Sequence, residues 1–197
     1  DLGKPIVLEA KTLKAIIKET NYATSQYEKR PILTGVNLKH EDDKLYCVAT
    51  DSYRLSQKIL PLSHDYESFN IVIPNRSLDE LSRTLDSINE EVSMFINPNK
   101  VLFKFRNILF QTRLLDGVYP DTLRIIPKEF PIIVKFNKEE LLKAVERVSV
   151  LSPREKDNNY NIVKLNIRPD YIVEVSSTNN EVGDAVEEIV PADDVVG

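Results

Sequence analysis

The strongest constraint in this sequence is a unit that recurs two and a half times: a strand, an amphipathic helix, then three strands. The helices are predicted to start near Ala10, Asn75 and Asn137, at intervals of about 65 and 62 residues. Repetition on this scale points to duplicated architecture. The first and third copies match best. Each has a polar loop after its helix (21–31 and 152–161), then a strand and a tight polar turn at 41–43 or 168–170. The third copy stops at Gly197 and reads as truncated, just as the Met-less start reads as a cut inside a longer protein.

In the first copy, 5–9 reads as a strand, and Leu13, Ile16 and Ile17 share one face of a helix over 11–20. Val36 and Leu38 point one way on the next strand, which a turn at 40–43 ends. Leu45, Cys47 and Ala49 alternate on the returning strand, and 54–62 gives another. The second copy has a strand at 69–74, Asn75 as helix cap and Leu78, Leu81 and Leu85 as buried stripe. Strands at 92–96, 101–105 and 108–114 follow, with Asn97-Pro98-Asn99 as a turn. The third copy restarts at 132–136. There Asn137 and Glu140 form a capping-box-like pair, and Leu141, Val145 and Val148 the stripe. Its strands are expected near 163–167, 171–175 and 185–190. Between the second and third copies, 116–130 opens on Asp116-Gly117 and carries Pro120 and Pro127, so it reads as an ordered linker. The expected domains are 1–128, with two copies, and 129–197, with half of another pair. Strands that pair with sequence neighbours give largely antiparallel sheets. The predicted fold class is α+β, built of duplicated strand-helix-three-strand units with the helices on one face.

Composition narrows the chemistry. With 29% charged and 42% hydrophobic residues this is an ordinary globular chain. It has no apolar run long enough for a membrane-spanning helix. A lone cysteine, Cys47, leaves no internal disulfide and fits a reducing cytoplasm. The net charge of -5 argues against a strongly basic nucleic-acid binder. Five glycines form no phosphate loop. Cys47 is expected in the core, and His40 and His64 in solvated polar turns. Asp42, Asp43 and Asp51 raise a metal-dependent nuclease or phosphatase. Asp42-Asp43 fits a hairpin turn better, and no acidic cluster recurs at helical spacing. No catalytic residue, metal or cofactor is expected.

Two patterns remain. Lys11, Lys14 and Lys18 lie on one face of the first helix, Arg76 and Arg83 on the second, and Lys143 and Arg147 on the third, with Lys138 upstream. Each stripe alone suits a solvated helix face. Three equivalent stripes in an acidic chain also suit a surface that meets nucleic-acid phosphates without reading bases. The second pattern is a set of specific segments: Arg30-Pro-Ile-Leu-Thr-Gly35, Ala49-Thr-Asp-Ser-Tyr-Arg-Leu55 and Leu115-Asp-Gly-Val-Tyr-Pro-Asp-Thr-Leu-Arg-Ile-Ile-Pro127. Leu33, Leu55, Pro120 and Ile125 beside polar turns could line an apolar cleft for a short peptide. They would equally serve to pack the linker onto the sheet.

These three segments, in this order and spacing, resemble the bacterial DNA polymerase III beta subunit, the replicative sliding clamp, and the resemblance covers essentially the whole chain. It implies three domains per full chain, each a duplicated unit, with two chains closing into a ring around duplex DNA. On that alignment, 1–128 is the middle domain and 129–197 the first half of the third. The implied peptide cleft comprises Arg30, Ile32, Leu33, Thr50, Ser52, Tyr53, Arg54, Leu55, Pro120 and Ile125. Ser52 and Tyr53 stand where other members can carry Gly and His. A C-terminal strand that completes the family's cleft lies outside this chain. The helix cations Lys11, Lys14, Lys18, Arg76, Arg83, Lys138, Lys143 and Arg147 would face DNA. Implied partners are duplex DNA, contacted without sequence preference, the polymerase III alpha subunit, the clamp loader and other clamp-motif proteins. The implied role is a non-catalytic cytoplasmic processivity factor at replication forks. Hydrolysis of ATP would belong to the separate loader, and the fragment alone would not close a ring. The leading alternatives are a stand-alone peptide-binding adaptor and an aspartate-metal nucleic-acid enzyme.

Overall fold

The first strand of each of the first two copies pairs outside its own copy. In the computed structural model, which describes residues 3–151, 162–179 and 182–197, β1 (Ile6–Glu9) lies against β6 (Glu91–Ile96), with Ile6 opposite Met94. Reciprocally, β5 (Phe69–Pro74) lies against β2 (Gly35–Glu41), with Val36 opposite Ile73. With β3 (Lys44–Thr50), β4 (Leu55–Pro61), β7 (Lys100–Phe105) and β8 (Ile108–Arg113), this gives two four-stranded sheets. Their orders are β4-β3-β2-β5 and β1-β6-β7-β8, and each strand pair is antiparallel. Neither copy has a four-stranded sheet without a strand from the other.

The helices fill the space between these strands. α1 (Ala10–Thr20) buries Ala10, Leu13, Ile16, Ile17 and Thr20, a helical-period stripe. α2 (Asn75–Thr84) buries Leu78 and Leu81, and Leu85 just beyond it is also buried. These side chains join Val36, Leu38, Leu45, Cys47, Met94 and Phe103 in one apolar core. Each fully buried large apolar side chain contributes about 1.5–3 kcal/mol of transfer free energy. Asn75 differs from its expected role as cap: Pro74 takes that position and Asn75 is the first helical residue. Its amide instead donates to Thr24 Oγ1 at 3.2 Å and tethers the loop after α1.

The β2–β3 hairpin turns on Asp42 and Asp43, both left-handed with φ of 50° and 58°. Asp tolerates that region, and the twist of such turns matches that of the strands. His40 corrects the expectation of a solvated turn residue. β2 runs on to Glu41, so His40 falls in the same alternating row as Val36 and Leu38 and is only 3% exposed. Its ring packs 5.7 Å from that of Phe69 and its nitrogens face the carbonyls of Glu67 and Leu62. His64 is exposed, and its Nδ1 lies 2.7 Å from Asp43 Oδ1. The His64 side-chain hydrogen bond holds the Asp43 carboxyl below its usual range, against a smaller effect of burial.

The chain divides into two compact units between Ile125 and Ile126. In the second unit, α3 (Lys138–Ser149) is capped by Asn137, whose side chain accepts the Glu140 amide at 3.1 Å. α3 packs on β10 (Val173–Asn179) and β11 (Gly183–Ile189), and β9 (Lys164–Ile167) completes a sheet of order β11-β10-β9. Ala144 and Val148 carry the buried stripe, while Leu141 and Val145 are half-buried beside it. Residues 132–136 were expected as a strand and form only an isolated bridge, Ile133 with Val196. β1 is a strand because it lies along β6, and 132–136 has no comparable ladder among the described residues. The strand expected at 171–175 starts at Val173, since Tyr171 sits in a left-handed turn with φ of 64°. The expected loop at 152–161 lies outside the described residues.

Gly35 sits at a close backbone approach in the first unit. A Cβ there would sit 2.4 Å from the Ile73 carbonyl oxygen, across the exchanged β2–β5 pair. Gly35→Ala is expected to destabilise by about 1–3 kcal/mol, the usual cost of overpacking, read as a lower urea midpoint. An unchanged midpoint would show that the pair gives way without cost.

Candidate functional site

The linker creates the site by lying across the outer face of the β4-β3-β2-β5 sheet. Leu115 N–H donates to Val72 O at 2.9 Å. Gly117 takes φ of 122° above Ile32, a conformation that favours glycine. Tyr119 is buried with Leu33, Val48 and Val72, and Ile32, Leu55 and Leu115 pack against them. A short 3-10 turn, Thr122–Arg124, then buries Thr122.

Beside this cluster lies a cavity of about 310 Å³ lined by Arg30, Leu33, Thr50, Ser52, Tyr53, Arg54, Leu55, Pro120 and Ile125. Nine of the ten residues expected in a cleft thus come together on one wall of the first unit. Ile32 does not line it; its side chain packs beneath Gly117 in the neighbouring cluster. The floor is aliphatic (Leu33, Leu55, Pro120, Ile125). The rim is polar and is held by a turn rather than by regular structure.

That turn is built around Asp51. Its Oδ1 accepts the amides of Tyr53 and Arg54, both at 3.0 Å, and its carboxylate lies 3.3 Å from the Arg54 guanidinium. Thr50 Oγ1 donates to Arg54 O at 2.7 Å and accepts from Ser52 N at 3.2 Å. Ser52 takes the left-handed region, φ 78°, where glycine would be free of strain. Arg30 donates to Ser52 Oγ at 3.3 Å, closing the rim from the opposite side. Tyr53 projects outward, 77% exposed. Arg54 also donates to Tyr22 O at 2.7 Å, with its guanidinium 5.5 Å from the centre of the Tyr22 ring. Tyr22 carries no sequence signal of this role, because a contact 32 residues away in the chain leaves no local pattern.

The helix cations divide sharply. Lys14, Lys18 and Arg76 line a groove of about 690 Å³ between α1 and α2, together with Asp79 and Asp86. Lys11 pairs with Glu9 at 3.3 Å, Lys14 with Asp86 at 3.1 Å and Arg83 with Glu80 at 2.8 Å. In the second unit Arg147 pairs with Glu187. Lys18, Arg76, Lys138 and Lys143 have no carboxylate partner among the described residues. The aspartates considered for a metal are otherwise engaged: Asp42 and Asp43 form the hairpin turn and Asp51 organises the cavity rim. Among the described residues no group of three or more His, Cys, Asp and Glu converges as a metal site.

Burial would raise the Asp51 carboxyl, but the Arg54 and Tyr53 amides and the Arg54 charge outweigh it and hold it below the usual 3.8. The charged form is therefore favoured in the folded state. Its contribution to stability is complete above the unfolded value and is lost as pH falls through the lower folded one. The stability gap between wild type and Asp51→Asn, measured by urea unfolding, is expected to hold from neutrality to about pH 4 and to close below it. A gap independent of pH down to about pH 2 would contradict this.

Residues 7–121 match the family model for the DNA polymerase III beta subunit, central domain, and residues 123–197 that for its C-terminal domain. The curated beta sliding clamp of Bacillus subtilis (strain 168) is 46% identical over 186 residues, covering 94% of this chain and 48% of that protein. The crystal structure of the Bacillus subtilis DNA polymerase sliding clamp superposes with a TM-score of 0.89 at 42% identity, covering 98% of this chain and 50% of that one. A sliding clamp from Bartonella birtlesii bound to griselimycin gives a TM-score of 0.83 at 27% identity, over 98% of this chain and 52% of that one. The chain spans about half the length of the relatives it matches. With a family model matched on each side of residue 122, the chain belongs to the DNA polymerase III beta subunit family.

Proposed function

We propose that this chain is the middle and part of the third domain of a bacterial replicative sliding clamp. In that role the full-length protein forms a two-chain ring around duplex DNA. It tethers the polymerase III alpha subunit, the clamp loader and other partners through short peptides held in the apolar cavity. The observation that carries the cleft assignment is its composition: an aliphatic floor of Leu33, Leu55, Pro120 and Ile125 within a hydrogen-bonded polar rim. Such a pocket anchors apolar side chains and leaves the rim to orient a main chain. The griselimycin complex of the Bartonella birtlesii clamp supports a ligand site on a relative of this fold.

The mechanism is topological. A ring that cannot leave the template keeps the polymerase near the primer end at high effective concentration. The helix cations would supply a charge-based contact with phosphates that reads no sequence and permits sliding. Lys18 and Arg76 in the first unit and Lys138 and Lys143 in the second are the candidates with no ion pair to break among the described residues. No chemistry is assigned to this subunit, and ATP hydrolysis would belong to the loader. No described helix is long and apolar enough to cross a membrane, and the site of action is the cytoplasm at the replication fork.

Two experiments on the full-length protein test this. Leu55→Asp places a charge in the apolar floor and is expected to weaken a peptide taken from the polymerase alpha subunit by roughly 100-fold or more by calorimetry, with the protein still folded by circular dichroism. Unchanged affinity would overturn the cleft. Replacing Lys11, Lys14 and Lys18 together by Glu is expected to weaken DNA contact and flatten its salt dependence. An unchanged slope would place the DNA contact elsewhere.

A further inference from the structure

Arg54 lines the apolar cavity, yet its guanidinium is gripped by a residue from outside the rim turn. Nη2 donates to Tyr22 O at 2.7 Å, and the guanidinium carbon lies 5.5 Å from the centre of the Tyr22 ring. On the rim side, Nε lies 3.3 Å from Asp51 Oδ2. A planar guanidinium held by a carboxylate, a carbonyl and a π face is fixed in orientation as well as in place. An arginine left loose would lose rotamer freedom when a ligand closed on it, and one already held loses less.

Tyr22 is well anchored for this task. It sits in the 3-10 turn Asn21–Ala23 that follows α1. Asn21 before it is buried and donates through Nδ2 to Asn75 O at 3.1 Å and to Asp79 Oδ1 at 2.8 Å. Ala23 after it is buried, and Thr24 Oγ1 donates back to Asn21 O at 2.8 Å. The main chain of the turn is thus pinned on both sides of Tyr22, which is itself 58% exposed. Tyr22 also lines the groove between α1 and α2, with Lys18 and Arg76. One residue therefore belongs to the groove and, through Arg54, reaches the wall of the cavity. A cation over an aromatic face is held weakly in water and more strongly once water is excluded.

We propose that Tyr22 is a positioning residue that couples the two sites. It holds Arg54 in the wall of the apolar cavity. Duplex DNA lying in the groove excludes water from the Tyr22–Arg54 contact, tightens that hold and so favours a peptide in the cavity. Linkage makes the effect reciprocal, so the peptide favours DNA by the same factor. The coupling rests on the cleft and groove readings given above; the positioning of Arg54 does not.

The test uses full-length protein. A first arm, with no ligand, reads the guanidinium resonances of Arg54 in protein labelled with nitrogen-15 arginine. The Tyr22 ring current is expected to shift them upfield in wild type and in Tyr22→Phe, and the shift is expected to vanish in Tyr22→Leu. Resonances unmoved by Tyr22→Leu would overturn the positioning. A second arm measures the polymerase alpha-subunit peptide by calorimetry. Tyr22→Leu is expected to weaken it about two- to fivefold, with Tyr22→Phe at wild-type affinity. Unchanged affinity in Tyr22→Leu would overturn the effect on the cavity. A third arm repeats the titration with a saturating short linear DNA duplex at low salt. The peptide is expected to bind about twofold tighter or more in wild type, and no tighter in Tyr22→Leu. An unchanged or weaker peptide affinity with DNA, or an enhancement that survives Tyr22→Leu, would overturn the coupling. If the peptide binds Leu55→Asp at wild-type affinity, the cleft reading fails, the coupling falls with it and the resonance arm alone decides the positioning of Arg54.

Discussion

The first unit rests on an exchange of strands. β1 leaves its own copy to pair with β6, and β5 leaves its own to pair with β2. Each sheet is therefore complete only when both copies are folded, and α1 and α2 share one core with strands of both sheets. The close approach at Gly35, where a methyl group would strike Ile73 O, lies within the exchanged pair. Because the helices occupy one side, the other side of the β4-β3-β2-β5 sheet is left to the linker. Tyr119 and Leu115 cover Val48 and Val72, and the chain that continues past them walls the apolar cavity. Exchange, helix placement, linker path and candidate site form one sequence of dependence.

What was legible in the sequence was what has a period or a local partner. The three helices, the Asp42-Asp43 turn and the Asn137 cap are written within a few residues each. What was not legible depends on tertiary geometry. His40 sits next to a polar turn in sequence, yet two extra residues of β2 carry it into the core row. Asn75 has the composition of a cap, but β5 runs directly into α2 and leaves that place to Pro74. The stretch 132–136 has strand composition and lacks a ladder partner, so only one bridge forms. Likewise, of the ten cleft residues implied by the family resemblance, nine from three separate segments line one cavity, whereas Ile32 packs elsewhere. Tyr22 and Tyr119 acquire their roles only through contacts across the fold.

Charge follows a similar logic. The chain is acidic, with net charge -5, and several helix cations are neutralised by neighbours, as Lys14 is by Asp86 and Arg147 by Glu187. Exposed pairs of this kind add little to stability, of the order of 0–1 kcal/mol. Their larger effect is on the field, since they thin out the positive face to a few unpaired side chains. A sparse set of cations in the groove between α1 and α2 suits weak, salt-screened contact with phosphates better than tight binding. For a proposed sliding ring, retention then has to come from topology rather than affinity.

That consequence can be measured directly. The full-length protein is loaded by its own loader onto a nicked circular plasmid and the complex is washed in high salt. A ring that encircles DNA stays bound to the circle and is released within minutes of cutting the plasmid at a single site. Loss from the intact circle in high salt, or retention on the cut plasmid equal to that on the circle, would contradict a topological tether.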